Sequence, residues 1–236
     1  MSHMDHVAPT YDETIPAHVR EHYLRKRVAF IRARLSRGRI LDVGCGTGML
    51  GAALRQAGLD VVGIDESMGM LGECRQRQAI LCVRGSSARL PFGSDSMDAA
   101  ICIATLHHIE NPEQVQATVQ EMLRVVKPGG WILLWDHNPL NPYWPFLMRR
   151  LPQDQEPIRL VPLRELLANL ATRDVVRIDA RRSGFMPEFA SPRLMWLFQA
   201  MERLIERTPG LRWLCAHNVV VAVKGAPGEE RGIRCG

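Results

Sequence analysis

The densest chemical signal is the stretch Leu41-Asp42-Val43-Gly44-Cys45-Gly46-Thr47-Gly48. Glycine is needed where backbone must turn sharply or let a ligand approach with no Cβ in the way. Two readings of this turn compete. A dinucleotide fingerprint is G-x-G-x-x-G, so Gly44 and Gly46 would call for a third glycine at position 49. That residue is Met49, and Gly48 gives G-x-G-x-G instead. Asp42, just ahead of the loop, also fits poorly beside a pyrophosphate and well beside a cationic ligand. A second acid, Asp65, follows Gly44 by 21 residues, the reach that sets a carboxylate at a pair of ribose hydroxyls. A carboxylate there accepts two charge-assisted hydrogen bonds from a diol. His107, His108 and His137 follow two later apolar runs, and imidazole is the side chain best suited to take a proton near neutral pH.

These residues need a scaffold, and the hydrophobic pattern supplies one. Arg39–Val43 reads as a strand and Met49–Ala57 as a helix, followed by a strand over Asp60–Ile64 and a helix with Ser67 as N-cap. Ile80–Val83 and the almost wholly apolar Asp98–Ile103 are strands three and four. Asn111 caps a helix that starts at Pro112 and runs to about Val126. Lys127-Pro128-Gly129-Gly130 ends that helix, and Trp131–Asp136 is the fifth strand. Strands alternating with helices imply right-handed crossovers and a doubly wound, mostly parallel sheet, with ligands at the carboxyl ends of the strands. Beyond Asp136 the rhythm breaks into a proline-interrupted insert with two short helices. Strands over Arg173–Ala180 and Asn218–Val223 then flank a helix over 192–207, which makes seven strands. The first fifteen residues read as a polar arm, and 17–36 as a helix with an imperfect apolar stripe.

At 236 residues, 46% hydrophobic and 23% charged, the chain can bury a full core, which excludes disorder and any need for a metal or disulfide scaffold. No apolar run reaches the roughly 18 residues of a membrane span, and the opening residues contain no apolar leader. None of the six cysteines is spaced Cys-x-x-Cys, which favours a reducing, cytoplasmic setting over a zinc site or disulfides. The net charge is +5, and residues 17–39 hold eight Arg/Lys against one acid, Glu21. Nucleic acid could bind such a run, but an Arg-rich solvated helix face is the plainer expectation. Nothing in the sequence specifies an oligomeric state.

Five motifs in order carry a family resemblance: Asp42-Val43-Gly44-Cys45-Gly46-Thr47-Gly48, Asp65-x-Ser67-x-x-Met70-Leu71, Leu90-Pro91-Phe92, Leu106-His107-His108-Ile109 and Lys127-Pro128-Gly129-Gly130. Over about residues 36–136 the chain resembles class I S-adenosylmethionine-dependent methyltransferases. The subgroup resembled is the small, single-domain one related to the ubiquinone/menaquinone methyltransferases. The resemblance implies a Rossmann-like methyltransferase fold with an N-terminal helix and a helical insert after the fifth strand. It implies one domain over 1–236: arm and helix 1–36, cofactor-binding half 37–136, insert or lid 137–170, C-terminal strands and helix 171–224, and tail 225–236. S-adenosyl-L-methionine becomes the expected cofactor, with no metal.

On that reading Gly44, Cys45 and Gly46 let the backbone close over the cofactor, and Asp42 neutralises its ammonium. Asp65, with Glu66 beside it, takes the ribose, while Met70 packs on adenine. Ser86, Ser87, Ala88 and Ile103 complete the lining, and Tyr11 folds over it. One departure matters: relatives carry Gly-Asp-Ala-Glu where this chain has Gly85-Ser86-Ser87-Ala88, so Ser86 replaces an Asp that accepts from the adenine amino group, and weaker cofactor binding is expected. The implied reaction is methyl transfer to a small organic acceptor, apolar or aromatic, at a hydroxyl oxygen by preference. His137 is the first choice for acceptor contact and base assistance, His108 is either base or loop anchor, and His107 is peripheral. Trp144, Phe146, Phe185 and Phe189 are expected to form a lid, with Met195, Phe198 and Glu202 packing the last helix. Two alternatives stay open: an RNA methyltransferase using the basic helix, and a cofactor-binding protein without catalysis.

Overall fold

In the computed structural model, which describes residues 3–77, 79–152 and 158–226, seven strands form one sheet in the order β3-β2-β1-β4-β5-β7-β6. The strands are β1 (Arg39–Val43), β2 (Asp60–Asp65), β3 (Leu81–Arg84), β4 (Met97–Ile103), β5 (Val126–His137), β6 (Val175–Ser183) and β7 (His217–Lys224). The first five run parallel, and β7 lies antiparallel between β5 and β6. Chain order reverses at β1, which pairs with β2 on one side and β4 on the other. A crevice therefore opens at their carboxyl ends, where the helical connections depart to opposite faces. Val43 is level with Ile64 and with Cys102, so Gly44, Asp65 and the turn after Ile103 emerge at one height.

Around the sheet lie α1 (His3–Val7), α2 (Ala17–Arg32), α3 (Met49–Gln56), α4 (Met68–Gln76), α5 (Pro112–Val125), α6 (Trp144–Leu147), α7 (Leu163–Leu170) and α8 (Met195–Arg207). Two apolar layers hold it. One gathers Leu41, Val43, Ala100 and Leu134 with α5 and α7; the other gathers Ile40, Ile101, Leu133 and Trp135 with Phe30 and Ile31 of α2. Local chemistry sets the helix starts. The Ser67 hydroxyl accepts from Met70 N at 3.1 Å, and the Asn111 side chain accepts from Glu113 N at 2.8 Å just before Pro112.

Three sequence expectations change. Lys127–Gly130 does not separate helix from strand: β5 starts at Val126, and the register against β4 slips between Met97 and Ala99. Gly129 takes φ +79° there, so two glycines let the strand bulge and resume. The N-terminal arm is not an extended polar segment. After α1, a 3-10 turn over Ala8–Glu13 buries Val7 and Ala8 against Met70. The Asp5 carboxylate accepts from Ser67 Oγ at 2.7 Å and Gly69 N at 2.9 Å, docking the arm onto the start of α4. Finally, the basic run is no simple solvated face. Lys26 pairs with Glu202 and Glu206, Arg34 stacks on Phe30 at 3.6 Å, and Arg27 turns towards the crevice. Residues 227–236, most of the expected tail including Cys235, lie outside the described residues; Cys45, Cys74, Cys82, Cys102 and Cys215 are buried free thiols.

Candidate active site

The glycine loop after β1 is built by left-handed backbone: φ is +73° at Gly44, +52° at Gly46 and +76° at Gly48. The glycines serve different needs. A Cβ on Gly44 would lie 2.3 Å from the Thr105 side chain, so that position is closed by the turn after β4. A Cβ on Gly46 would meet nothing nearer than Met70 Sδ at 4.0 Å, so that side faces open space. The Gly46 and Ser67 amides each donate to the Asp65 carboxylate at 2.9 Å. Burial raises the Asp65 pKa against these hydrogen bonds. In front lies a cavity of about 520 Å³ lined by Gly44, Gly46, Asp65, Glu66, Met70, Ser86, Ser87, Ala88, His108 and Tyr11. Ser87 is tied to Thr118 at 2.9 Å, while Ser86 is exposed and accepts only a long contact from Ala88 N, 3.3 Å.

Asp42, Cys45 and Ile103 border a smaller recess of about 170 Å³, which Gly44, Gly46 and Tyr11 join to the larger cavity. Asp42 Oδ2 is buried there without a hydrogen-bond partner, and so is Nε of Arg27 on the same wall. Burial, then the nearby Asp65, pushes the Asp42 carboxyl up from about 3.8 to about 7, with Arg27 pulling the other way. A recess that offers one orphaned carboxylate oxygen and one orphaned guanidinium N–H matches a zwitterion, ammonium to Asp42 and carboxylate to Arg27. The residues present thus fit S-adenosylmethionine: a carboxylate at Asp65 for a diol, the Met70 thioether on the cavity wall, and this charged recess.

On the other side of Tyr11 is a third cavity, about 350 Å³, walled by Tyr23, Trp144, Phe185, Met186, Phe189 and Phe198 and by four histidines. His107, His108, His137 and His217 crowd its inner end, with ring centroids of His107 4.1 Å from His108 and 4.2 Å from His137. Trp144 stacks on His137 at 3.8 Å and donates its indole N–H to Ala216 O at 2.9 Å. Asp136 underpins the group. Its carboxylate accepts from Leu106 N (2.7 Å), His107 N (3.3 Å), His137 N (2.7 Å) and His107 Nδ1 (2.7 Å). Burial alone would raise this carboxyl, but His107, His137 and the amide donors outweigh it and hold Asp136 well below the usual range. The ionised Asp136 orients the His107 ring through Nδ1. Desolvation, then proximity to His107, pushes His108 down to about 3 and His137 well below its ordinary value. Desolvation and then Arg27 put His217 at about 3. His107, Asp136 and His137 also bring one ligand-type atom each within 4.8 Å of one another. At 2.7 Å, however, the His107–Asp136 pair has hydrogen-bond spacing, and backbone amides fill the remaining carboxylate positions.

The structure therefore gathers most of the residues singled out by sequence, with three relocations. His107 is not peripheral: the turn over Leu106–His108 aims its ring at the end of β5, where Asp136 holds it, buried. Phe146 lines none of these cavities and is 68% exposed, because α6 turns Trp144 and Leu147 inward and leaves Phe146 on the outer side. Phe198, expected only to pack α8, reaches the cavity wall. Arg27, Asp136, Tyr23 and His217 were missed. The signal for Asp136 was present, a lone acid ending an otherwise apolar strand, and Arg27 was hidden among seven other basic residues.

Comparison with known proteins bears on the family and the fold. A family profile described as a methyltransferase domain matches residues 41–134. The demethylmenaquinone methyltransferase of Renibacterium salmoninarum is 37% identical over 158 residues, 63% of this chain and 65% of that protein. Its counterpart from Mycobacterium tuberculosis is 34% identical over 161 residues, 64% of this chain and 67% of that protein. The chain thus spans only about two thirds of these relatives' length, slightly less for the first. A solved structure from Thermotoga maritima, a methyltransferase described as a possible histamine N-methyltransferase, superposes with a TM-score of 0.66 at 18% identity. It covers 87% of this chain and 91% of that one, a likeness of fold. The chain belongs to the class I S-adenosylmethionine-dependent methyltransferases. Within them it is related to the quinone methyltransferases.

Proposed function

We propose that this protein transfers the methyl group of S-adenosylmethionine to a hydroxylated aromatic acceptor bound in the His-lined cavity. The observation that carries the reading is the adjoining of two unlike cavities at Tyr11, one polar and acid-lined, the other aromatic with a carboxylate-anchored histidine at its end. When bound, the cofactor supplies a methyl carbon already activated by the sulfonium. Asp65 accepts the ribose hydroxyls, Met70 covers adenine, and Asp42 with Arg27 takes the amino-acid end. The protein's share of the reaction is chiefly to hold nucleophile and methyl in line, an effect on the order of 7–11 kcal/mol.

In this reading the His107 imidazole, held at Nδ1 by Asp136, receives the acceptor's hydroxyl proton, and Asp136 stabilises the imidazolium so formed. This reading gives the base role to His107, whose Nδ1 lies 2.7 Å from the Asp136 carboxylate, over His137 and His108, which desolvation pushes down. A phenolate made in this way is nucleophilic at oxygen, the acceptor atom of this reading. The relatives' names place a demethylated menaquinone in their hands, which agrees with a flat, apolar ring system here. Trp144, Phe185 and Phe189 would hold such a ring and keep water away. The test is methyl transfer from labelled cofactor to a panel of hydroxylated aromatics, with products located by NMR. His107→Gln should lower turnover by about 100- to 10,000-fold with the cofactor dissociation constant unchanged. Equal loss of both, or full turnover, would reject the base role, and no transfer to any aromatic would reject the function.

A further inference from the structure

Helix α8 is turned inside out. Its two carboxylates face inward: Glu202 is 2% exposed and accepts from His22 Nε2 at 2.6 Å and from Lys26, while Glu206 meets Lys26, Ser183 Oγ (2.8 Å) and Gly184 N (2.7 Å). Four of its apolar residues, Trp196, Leu197, Met201 and Leu204, are exposed, while Ile205 is buried and Met195 and Phe198 pack inward. Leu197, Met201 and Leu204 fall at i, i+4 and i+7 on one exposed stripe, with Trp196 67% and Leu204 62% exposed. Leu194 ahead of the helix and Trp213 in the 3-10 turn after it (Pro209–Leu214) extend the same apolar display. A soluble helix normally carries the reverse pattern, and an exposed apolar area this continuous marks a docking surface.

Charge says what docks. Between Phe189 and Leu214 the only acids are Glu202 and Glu206, both engaged inward, whereas Arg193, Arg203, Arg207 and Arg212 border the stripe. Tryptophan and leucine rimmed by arginine form the composition that seats a helix in the headgroup layer of an anionic bilayer. A second copy fits less well, because a two-fold contact would set arginines against arginines. The position of the stripe adds a second argument. Met201 and Phe198 of α8, with the 70% exposed Phe189, also line the acceptor cavity, so the apolar face runs into the cavity mouth.

We propose that α8 and its flanking turns are an interfacial face that rests on an anionic lipid bilayer and opens the acceptor cavity towards it. An apolar acceptor can then pass from lipid to the His107 end without crossing water. That last clause rests on the acceptor reading above; lipid binding itself does not.

The full chain, without cofactor or acceptor, is co-sedimented with vesicles of phosphatidylcholine alone or mixed with phosphatidylglycerol, at low and high salt. It should pellet with the anionic vesicles and be released by salt. Trp196→Gln with Leu204→Gln, neither of which lines a cavity, should reduce the partition coefficient about tenfold or more. Arg203→Glu with Arg207→Glu should abolish the preference for phosphatidylglycerol. Unchanged circular dichroism and cofactor binding would show that the variants are folded. The proposal falls if the wild-type chain stays in the supernatant with every vesicle, or if the apolar double variant pellets as well as wild type. It falls equally if light scattering shows a dimer that this variant dissolves. Vesicle binding together with no methyl transfer would uphold the docking face and sink only the acceptor reading.

Discussion

Asp42 and Asp136 end neighbouring parts of the same sheet, both are buried, and they are treated in opposite ways. Asp136 has its charge satisfied from within: three backbone amides and an imidazole converge on it, and it stays ionised. Asp42 keeps an oxygen with no partner, and burial lifts it to about 7. Loss of water penalises both equally in kind; donors decide the outcome. The difference separates the two halves of the site. The acceptor end is completed by the protein's own hydrogen bonds and is preorganised. The proposed cofactor end keeps Asp42 Oδ2 and Arg27 Nε buried with no hydrogen-bond partner among the described residues.

Removing each carboxylate should break or sharpen that contrast. Asp136→Ala strands four donors beside a buried ring, and a loss of roughly 3–5 kcal/mol is expected, seen as a melting temperature lower by roughly 10 °C. Asp42→Asn should do the reverse to the ligand-free protein. Because the folded-state pKa of Asp42 is raised, its contribution is fully present below about pH 4 and is lost as pH rises through about 7. Above pH 7 the amide variant should therefore melt higher than wild type. A drop in its melting temperature at pH 8 would show that Asp42 is satisfied after all.

Binding should display the same asymmetry at the next size of effect. A cationic ammonium favours ionised Asp42, so below pH 7 binding must expel a proton. Cofactor affinity should then fall by up to about tenfold per pH unit as the solution is acidified below 7. Calorimetry in buffers of different ionisation enthalpy reads the released proton directly. Asp42→Asn should bind more weakly and without this pH dependence; a persistent slope would move the titration to another group.

What could be read from sequence follows the same division. The proposed cofactor end is made mostly of local segments, Asp42–Gly48 and Asp65–Met70, whose spacing is itself the geometry, so chain order reached all of it but Arg27, which α2 brings in from outside them. The acceptor end is assembled from Tyr23, Leu106–His108, Asp136–His137, Trp144, Phe198 and His217, which no periodicity links. His107 and His108 are neighbours with the same side chain, and only the approach of Asp136 to His107 Nδ1 at 2.7 Å sets them apart. Phe146 and Trp144, two residues apart, lie on opposite sides of a four-residue helix whose facing depends on packing. The outward stripe of α8 has the spacing of a buried one; its solvent side is set by Glu202 and Glu206 finding Lys26.

The arm tests closure of the cofactor end with a smaller effect. A Cβ on Gly69 would lie 2.7 Å from the Asp5 backbone, so Gly69→Ala should lift the arm off α4 and take Met4 and Tyr11 from the cavity wall. Cofactor binding weaker by several-fold, with the melting temperature little changed, is the expected result. If affinity is unaffected, the arm is packing alone.

Ser86 offers the smallest and most discriminating change. It is exposed on the rim of the cofactor cavity, and its hydroxyl is engaged only by the 3.3 Å contact from Ala88 N. A carboxylate in its place would accept a charge-assisted bond from the adenine amino group, while solvent exposure limits the gain to about 1 kcal/mol, or roughly fivefold in the dissociation constant. Ser86→Asp is therefore expected to tighten binding of S-adenosylmethionine and to leave the pH dependence set by Asp42 in place. Unchanged or weaker binding would mean that the adenine amino group does not reach this rim, and the lining assigned to Ser86, Ser87 and Ala88 would have to be redrawn.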